Sequence, residues 1–151
     1  MTAYFKEKGS TLFEALLSLY KEHGFYKEAL VSVKKEGKKG QEEISAIMKA
    51  FRENPPKEIA GEKLIQVKDY LKSVETNLVL DATKNIELPK SDVIQLFTEE
   101  GSKISMRPSG TEPKIKFYVG VKGRLEDESE YEKEEARLST KINELIDSLG
   151  L

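Results

Sequence analysis

Apolar and polar side chains alternate between Lys114 and Lys122 more regularly than anywhere else in this chain. The apolar positions are Ile115, Phe117, Val119 and Val121, and the positions between them are Lys116, Tyr118 and Gly120. A period of two residues predicts a β-strand with one buried and one exposed face. Such a strand requires neighbouring strands and a further layer that covers its apolar face.

Five shorter stretches are also predicted to be extended, at residues 29–33, 64–70, 78–80, 93–98 and 103–106. The turn before the last of them contains Gly101, which can adopt positive φ, so these last two stretches are predicted to form a hairpin. The run from Lys34 to Gly40 carries four lysines. It could bind a polyanion, but its two glycines and Glu36 favour a solvated turn or linker.

The first helix is predicted between two clear signals. Thr11 and Glu14 have the spacing of a capping box, and Gly24 offers a left-handed stop. His23 lies in the last turn, where an imidazole can interact with free carbonyl groups, so we interpret it as a cap and not as a catalytic base. No Ser, Cys or second His stands near it in the sequence.

Two longer helices follow from apolar residues at helical spacing. The first begins at Gln41 and ends before Pro55, and the second begins after a capping box of Ser129 and Glu132. Their apolar stripes are Ile44, Ile47, Met48 and Phe51, and Tyr131, Leu138, Ile142, Leu145, Ile146 and Leu149. We therefore predict an α+β fold in which an antiparallel sheet of about four strands packs against two helices.

Composition limits the chemistry that this chain can perform. Its 151 residues are about one domain's worth. The absence of cysteine removes disulfides, thiolate catalysis and cysteine-based metal sites, and one histidine leaves few routes to a catalytic triad. A net charge of −2 gives no support to nucleic-acid binding. The opening residues lack the pattern of a signal peptide and no apolar run approaches a membrane span, so a cytoplasmic location is expected.

One segment differs in kind from the rest, the stretch between the last two predicted strands from Arg107 to Lys114. Arg107 offers a planar fork for a phosphate, and Ser109 and Thr111 offer hydroxyl groups. Gly110 lets the backbone approach a ligand closely. These residue types suit a phosphate cradle that needs no metal, although the same residues also occur in ordinary turns.

The run Arg-Pro-Ser-Gly-Thr-Glu-Pro-Lys-Ile-Lys-Phe-Tyr at 107–118 resembles the phosphate-binding loop of the α-D-phosphohexomutase family, in the phosphoglucomutase/phosphomannomutase branch. The flanking residues 88–94 and the helix at 11–26 are also similar to that branch. The resemblance implies a TATA-binding-protein-like C-terminal domain at 25–151. It also implies that residues 1–24 are a helical tail of the preceding mutase domain.

The resemblance implies that the loop grips the sugar phosphate group that is not transferred. Arg107, Ser109, Gly110 and Thr111 match the contacting positions, and Lys114 and Lys116 could add positive charge or could be simple exposed strand positions. Glu112 is expected to orient Arg107, because a carboxylate beside a phosphate is repulsive. No catalytic residue and no metal ligand is predicted in this chain.

Other parts of such an enzyme have no counterpart in this sequence. There is no phosphoserine loop and no aspartate cluster for metal, so Mg²⁺ is expected outside this chain. Gly61-Glu62-Lys63-Leu64 begins like a sugar-recognition loop but lacks its ending, and we interpret it as a turn before a strand.

The expected function is that of one part of a phosphoglucomutase-like isomerase. The expected partners are hexose phosphate, hexose bisphosphate and the remaining domains of the same polypeptide. The chain alone is expected to be inactive, and the sequence does not determine which sugar is bound. A stand-alone phosphosugar-binding or regulatory module and a purely structural role are the alternatives.

Overall fold

A computed structural model describes residues 2–150, apart from the side chain of Thr2. The helices are α1 (Thr2–Glu7), α2 (Leu12–His23), α3 (Gly37–Glu53) and α4 (Tyr131–Ser148). The strands are β1 (Phe25–Lys34), β2 (Glu58–Ile59), β3 (Glu62–Asp69), β4 (Val74–Asn77), β5 (Ala82–Asn85), β6 (Ile94–Thr98), β7 (Lys103–Pro108) and β8 (Lys114–Gly123).

All strand pairs in the sheet are antiparallel, in the order β1-β8-β7-β6-β3-β4-β5, and β2 pairs with β3 at one side. The sheet has eight strands, not about four. The additional strands include β4 and β5, which are only 4 residues each. Because β5 is exposed throughout, it carries no apolar alternation that could have predicted it.

The predicted extended segment at 78–80 is wrong. Leu78, Val79 and Leu80 form the exposed turn that joins β4 to β5. The side-chain Oδ1 of Asn77 accepts hydrogen bonds at 2.9 Å from the backbone N–H groups of Val79 and Leu80. That local hydrogen bonding favours a turn over a strand despite the apolar side chains.

Helices α3 and α4 cover one face of the sheet, as the apolar stripes predicted. Ile44 and Met48 of α3 and Leu138, Ile142 and Leu145 of α4 are buried in the same cluster as the inward-facing residues of β6, β7 and β8. Along β8 the buried residues alternate with Lys116, Tyr118 and Gly120, which confirms the predicted half-buried strand. The residues between the buried ones face away from the two helices.

Helix α2 has the capping box that the sequence predicted. The Glu14 N–H donates to the Thr11 hydroxyl at 3.1 Å, and the Thr11 N–H donates to the Glu14 carboxylate at 2.7 Å. Gly24 ends α2 at a φ of 101°, with His23 in the last turn. Leu17 is buried in the main core, so α2 packs on the sheet. The proposed boundary at residue 24 stays a prediction, and residue 1 lies outside the described residues.

The lysine run at 34–40 is not a linker. Strand β1 continues to Lys34 and α3 begins at Gly37, so only Lys35 and Glu36 separate them. The sequence predicted that this helix begins at Gln41, but α3 begins four residues earlier, at Gly37. Glu36 occupies the N-cap position without a side-chain capping hydrogen bond, which explains why no capping signal indicated this start.

Gly40 lies where α3 meets the segment after β1. A Cβ atom at this position would lie 2.6 Å from the Cβ of Lys35 and 2.9 Å from its carbonyl carbon. We expect Gly40→Ala to destabilise the chain by about 1–3 kcal/mol, the usual range for overpacking a tight contact. Urea unfolding measures this, with the exposed Lys39→Ala as the control. Equal midpoints for the two variants would contradict the close approach.

The start of the last helix also differs from the prediction. The capping box of Ser129 and Glu132 does not form. Instead, Asp127 accepts hydrogen bonds from the N–H of Ser129 at 2.9 Å and from its hydroxyl at 2.6 Å. This heads a 3₁₀ turn at Glu128–Glu130 that leads into α4 at Tyr131. The hairpin of β6 and β7 is confirmed, with Gly101 at a φ of 83°.

A buried ion pair ties α4 to the sheet. Lys141 Nζ lies 2.8 Å from Glu62 Oε1 and 2.8 Å from Glu100 Oε2. The side chains of Lys141 and Glu62 are only 13% and 6% exposed. The Thr98 hydroxyl donates a further hydrogen bond to Glu62. Glu62 thus follows the turn at Gly61 as predicted, and its carboxylate forms part of this buried ion pair.

Candidate functional site

The loop at residues 109–113 joins two long neighbouring strands, β7 and β8. At its base the Ser109 N–H donates to the Lys114 carbonyl at 2.7 Å, and the Lys114 N–H donates to the Glu112 carbonyl at 2.7 Å. The Lys35 N–H donates to the Pro113 carbonyl at 2.8 Å, which fastens the loop to the chain after β1. Three backbone hydrogen bonds therefore hold this short loop where β7 ends and β8 begins.

Beside this loop lies a shallow hollow of about 210 Å³ with mostly polar walls. It is lined by Arg107, Pro108, Ser109, Gly110, Lys114, Lys116 and Tyr118. Five of the six residues predicted to bind phosphate thus share one hollow. Thr111 does not line it and lies exposed at the loop tip.

The backbone at the loop tip has donors to spare. Among residues 2–150, the N–H groups of Gly110, Thr111 and Glu112 donate to no backbone carbonyl. Consecutive amides of this kind can bind an anion. The Ser109 amide is already used within the loop, so it does not belong to that set. A Cβ on Gly110 would meet nothing within 4 Å, so space for an approaching ligand is open.

Cationic side chains stand opposite each other at the base of the loop. Arg107 pairs with Lys116 in the register of β7 and β8, and Lys34 pairs with Lys114 in the register of β1 and β8. Directly opposed residues of an antiparallel pair lie about 5 Å apart at Cβ and face the same side of the sheet. The register therefore gathers four positive charges on one face of the sheet, in two pairs that lie two residues apart along β8.

Glu112 does not orient Arg107, contrary to the expectation from the sequence. Its carboxylate lies 3.0 Å from the ammonium of Lys114, and within residues 2–150 it forms no ion pair with Arg107. The hydrogen bond and charge of Lys114, followed by the charges of Lys34 and Lys116, lower the pKa of the Glu112 carboxyl. Lys114 is adjacent along the turn, whereas Arg107 belongs to the opposite strand, which accounts for the difference.

Two residues at the loop were missed from the sequence. Tyr118 lines the hollow and is 40% exposed, and the alternation in β8 could have placed it on the same face as Lys116. Lys34 stands beside the loop only because of the register between β1 and β8. No local pattern reveals a cross-strand neighbour so far away in sequence.

A larger hollow of about 460 Å³ lies on the same face of the sheet. Leu30, Ser105 and Tyr118 line it together with Glu28, Ala29, Lys103, Val119 and Gly120. Its walls are mainly apolar and carry one acid and one lysine, whereas the hollow at the loop carries three cations, the Ser109 hydroxyl and the Tyr118 hydroxyl. Charge therefore identifies the smaller hollow as the candidate anion site.

The described residues do not fit a magnesium site, because no three acidic, His or Cys side chains converge among residues 2–150. His23 is exposed and lies 3.9 Å from Glu22, outside the loop. Within the same range, no helix combines the length and apolar character needed to cross a bilayer.

The comparisons with known proteins agree on one family. Residues 30–138 match the model described as "Phosphoglucomutase/phosphomannomutase, C-terminal domain". A phosphoglucomutase of Staphylococcus aureus (strain bovine RF122 / ET3-1) is 47% identical over 114 residues, which cover 76% of this chain and 20% of that protein. In strain MSSA476 the identity is 41% over 138 residues, covering 91% and 23%. A phosphoglucomutase of Staphylococcus haemolyticus (strain JCSC1435) is 42% identical over 121 residues, covering 80% and 22%.

One solved structure that aligns with this chain is the open form of the Paramecium exocytosis-sensitive phosphoprotein pp63/parafusin, a phosphoglucomutase. The alignment covers 97% of this chain and 25% of the parafusin chain. The identity is 13% and the TM-score 0.44. The family assignment therefore depends on the sequence matches.

The sequence matches define the class of this chain as a phosphohexomutase domain, as the sequence resemblance predicted. The chain belongs to the phosphoglucomutase/phosphomannomutase family and matches its C-terminal domain. It spans about a fifth of the length of the curated relatives it matches.

Proposed function

We propose that this chain works as the C-terminal domain of a phosphoglucomutase and that its loop holds the non-transferred phosphate of a hexose phosphate. One observation carries the proposal: Arg107, Lys114 and Lys116 line a single small hollow together with the hydroxyl of Ser109. Three cations around one hollow suit a dianionic phosphate. The amides at the loop tip and the Thr111 hydroxyl would serve oxygens on the outer side.

In the proposed cycle, a serine on another domain gives its phosphoryl group to the sugar. The resulting bisphosphate turns around, and the serine recovers a phosphoryl group from the other end. Such a cycle needs a fixed site that accepts either phosphate of the bisphosphate. This loop contributes position and positive charge and makes no covalent bond. The nucleophile and Mg²⁺ belong to other domains in this proposal.

Closure of this domain over the substrate would exclude water from the phosphoserine. Glucose is the proposed sugar because the three relatives named above are phosphoglucomutases. The cytoplasmic location expected from the sequence stays part of the proposal.

Chemical-shift mapping with glucose 1-phosphate tests the proposal on the chain itself. We expect saturable shifts of amide signals at residues 107–118, because the ligand phosphate enters the hollow there. Affinity should be weak, since the remaining contacts to the sugar belong to other domains. Neutral glucose is the control and should leave these signals in place. Shifts confined to another surface, or identical shifts with glucose, would contradict the proposal.

Activity of the chain is a separate expectation. A mutase assay should detect no turnover, because the proposed phosphoserine and metal loop lie outside this chain. Robust turnover by this chain alone would contradict that statement. Tight binding of glucose 1-phosphate by the chain, without turnover, would instead favour a stand-alone phosphosugar-binding module.

A further inference from the structure

The base of the loop contains an arrangement that antiparallel sheets normally avoid. Lys34 is directly opposite Lys114, and Arg107 is directly opposite Lys116. Like charges placed opposite each other on neighbouring strands destabilise a sheet. Within residues 2–150, the one ion pair formed by any of these four side chains is that between Lys114 and Glu112, at 3.0 Å.

Lys34 enters this group through the backbone. Strand β1 ends at Lys34, and the next residue, Lys35, donates its N–H to the carbonyl of Pro113 in the loop at 2.8 Å. The end of β1 is therefore tied to the loop, and Lys34 occupies the rung beside it. Lys34 is exposed, so its long side chain can extend toward the hollow without leaving water.

Glu112 is an anion already present among these cations. Its ion pair with Lys114 and its proximity to Lys34 and Lys116 lower its carboxyl pKa. The carboxylate thus experiences the positive potential of Lys34 as well as that of the two lysines lining the hollow. A phosphate in the hollow would experience the same potential with a larger charge.

We propose that Lys34 is a fourth cationic group of the phosphate site and that an arriving phosphate displaces the Glu112 carboxylate from Lys114. This inference rests on the proposed function, because it assumes that phosphate enters the hollow. The exchange replaces one anion with another and breaks no covalent bond. Repulsion between opposed cations is partly relieved by Glu112 before binding and more fully by phosphate after it.

Replacing Lys34 is expected to raise the stability of the chain and to lower its affinity for phosphate. A purely structural role of Lys34 would not produce this combination. Lys34→Ala removes a repulsive pair, so the ligand-free chain should become more stable to urea. The same change removes a charge near the phosphate, so affinity for glucose 1-phosphate should fall about three- to fivefold. Lys34→Arg keeps the charge and should keep the affinity.

Glu112→Gln removes the competing carboxylate without changing the shape of the side chain. Affinity for glucose 1-phosphate should then rise about two- to fivefold, because Lys114 no longer exchanges one anion for another. Lys90→Ala, an exposed lysine before β6, is the matched control and should change neither affinity nor stability.

The experiment is a titration of the full chain and these variants with glucose 1-phosphate, followed by amide chemical shifts, together with urea unfolding of each variant without ligand. Weaker binding by Lys34→Ala and tighter binding by Glu112→Gln would support the inference. If Arg107→Ala weakens binding while both of these variants bind normally, the inference fails and the proposed function stands. If no protein binds up to the solubility limit of the ligand, or if Arg107→Ala binds normally, the proposed function fails and the inference with it.

Discussion

Replacing Arg107 with alanine in a complete phosphoglucomutase that carries this domain is expected to weaken hexose phosphate binding by about 1.5–3 kcal/mol, the usual contribution of hydrogen bonds to charged groups. Roughly 10- to 150-fold in affinity corresponds to that range. The guanidinium is exposed in the structure and lines the hollow, so it is free to form two parallel hydrogen bonds with a phosphate.

The kinetic signature should be a raised KM with a smaller change in kcat. Contacts to the phosphate that is not transferred stabilise the bound substrate and the transition state equally. They therefore contribute mainly uniform binding. Steady-state kinetics with glucose 1-phosphate measure both constants. Arg107→Lys should recover part of the loss, because it keeps the charge but not the planar fork.

Arg124→Ala is the matched control for this prediction. Arg124 is 83% exposed, pairs with Glu126 on the surface, and follows the far end of β8, about 30 Å along the strand from the loop. Its kinetics should match those of the unaltered enzyme. If Arg107→Ala behaved like Arg124→Ala, the assignment of the phosphate site to this loop would be wrong.

The largest effect on stability is expected from Lys141→Met. This change removes the ammonium that Glu62 contacts at 2.8 Å and leaves a carboxylate buried in the core. Removal of one partner from a buried ion pair costs about 3–5 kcal/mol, because the remaining charge is uncompensated. Urea unfolding at neutral pH should show that loss. Lys133→Met, an exposed change on the same helix, should stay within about 0.5 kcal/mol.

The pH dependence of this effect has a definite sign. Burial alone would raise the pKa of Glu62, but hydrogen bonds from Lys141 and Thr98 lower it overall. A carboxyl group whose pKa is lowered by folding stabilises the protein at neutral pH, and this stabilisation is lost as the pH falls through the lowered value. The difference between the unaltered chain and Lys141→Met should therefore shrink in acid.

A double variant separates charge from packing at this pair. Changing Glu62 to leucine together with Lys141→Met removes both charges and should recover most of the stability. A loss below about 1 kcal/mol for Lys141→Met alone would contradict the role assigned to the ion pair.

Parts of this fold that depend on local chemistry could be predicted from the sequence. The capping box at Thr11, the glycine turn of the β6–β7 hairpin and the alternation in β8 each involve neighbouring residues. The parts that depend on distant partners could not. Strand β5 exists because it pairs with β4, and its residues are all exposed.

Part of the candidate site could likewise be predicted from the sequence, and part of it could not. Arg107, Ser109 and Lys114 lie within one short segment, so their grouping follows from the sequence. The position of Lys34 follows from strand register, which the sequence did not reveal. The pairing of Glu112 with Lys114 follows from the turn geometry, which decides between two nearby cations.

The decisive measurement is a crystal structure of a complete phosphoglucomutase carrying this domain, with hexose phosphate bound. We expect the phosphate group remote from the phosphoserine to lie in the hollow lined by Arg107, Ser109 and Lys114. We also expect the ion pair between Glu112 and Lys114 to have broken. Hexose phosphate bound in the active site with this hollow empty would contradict the claim.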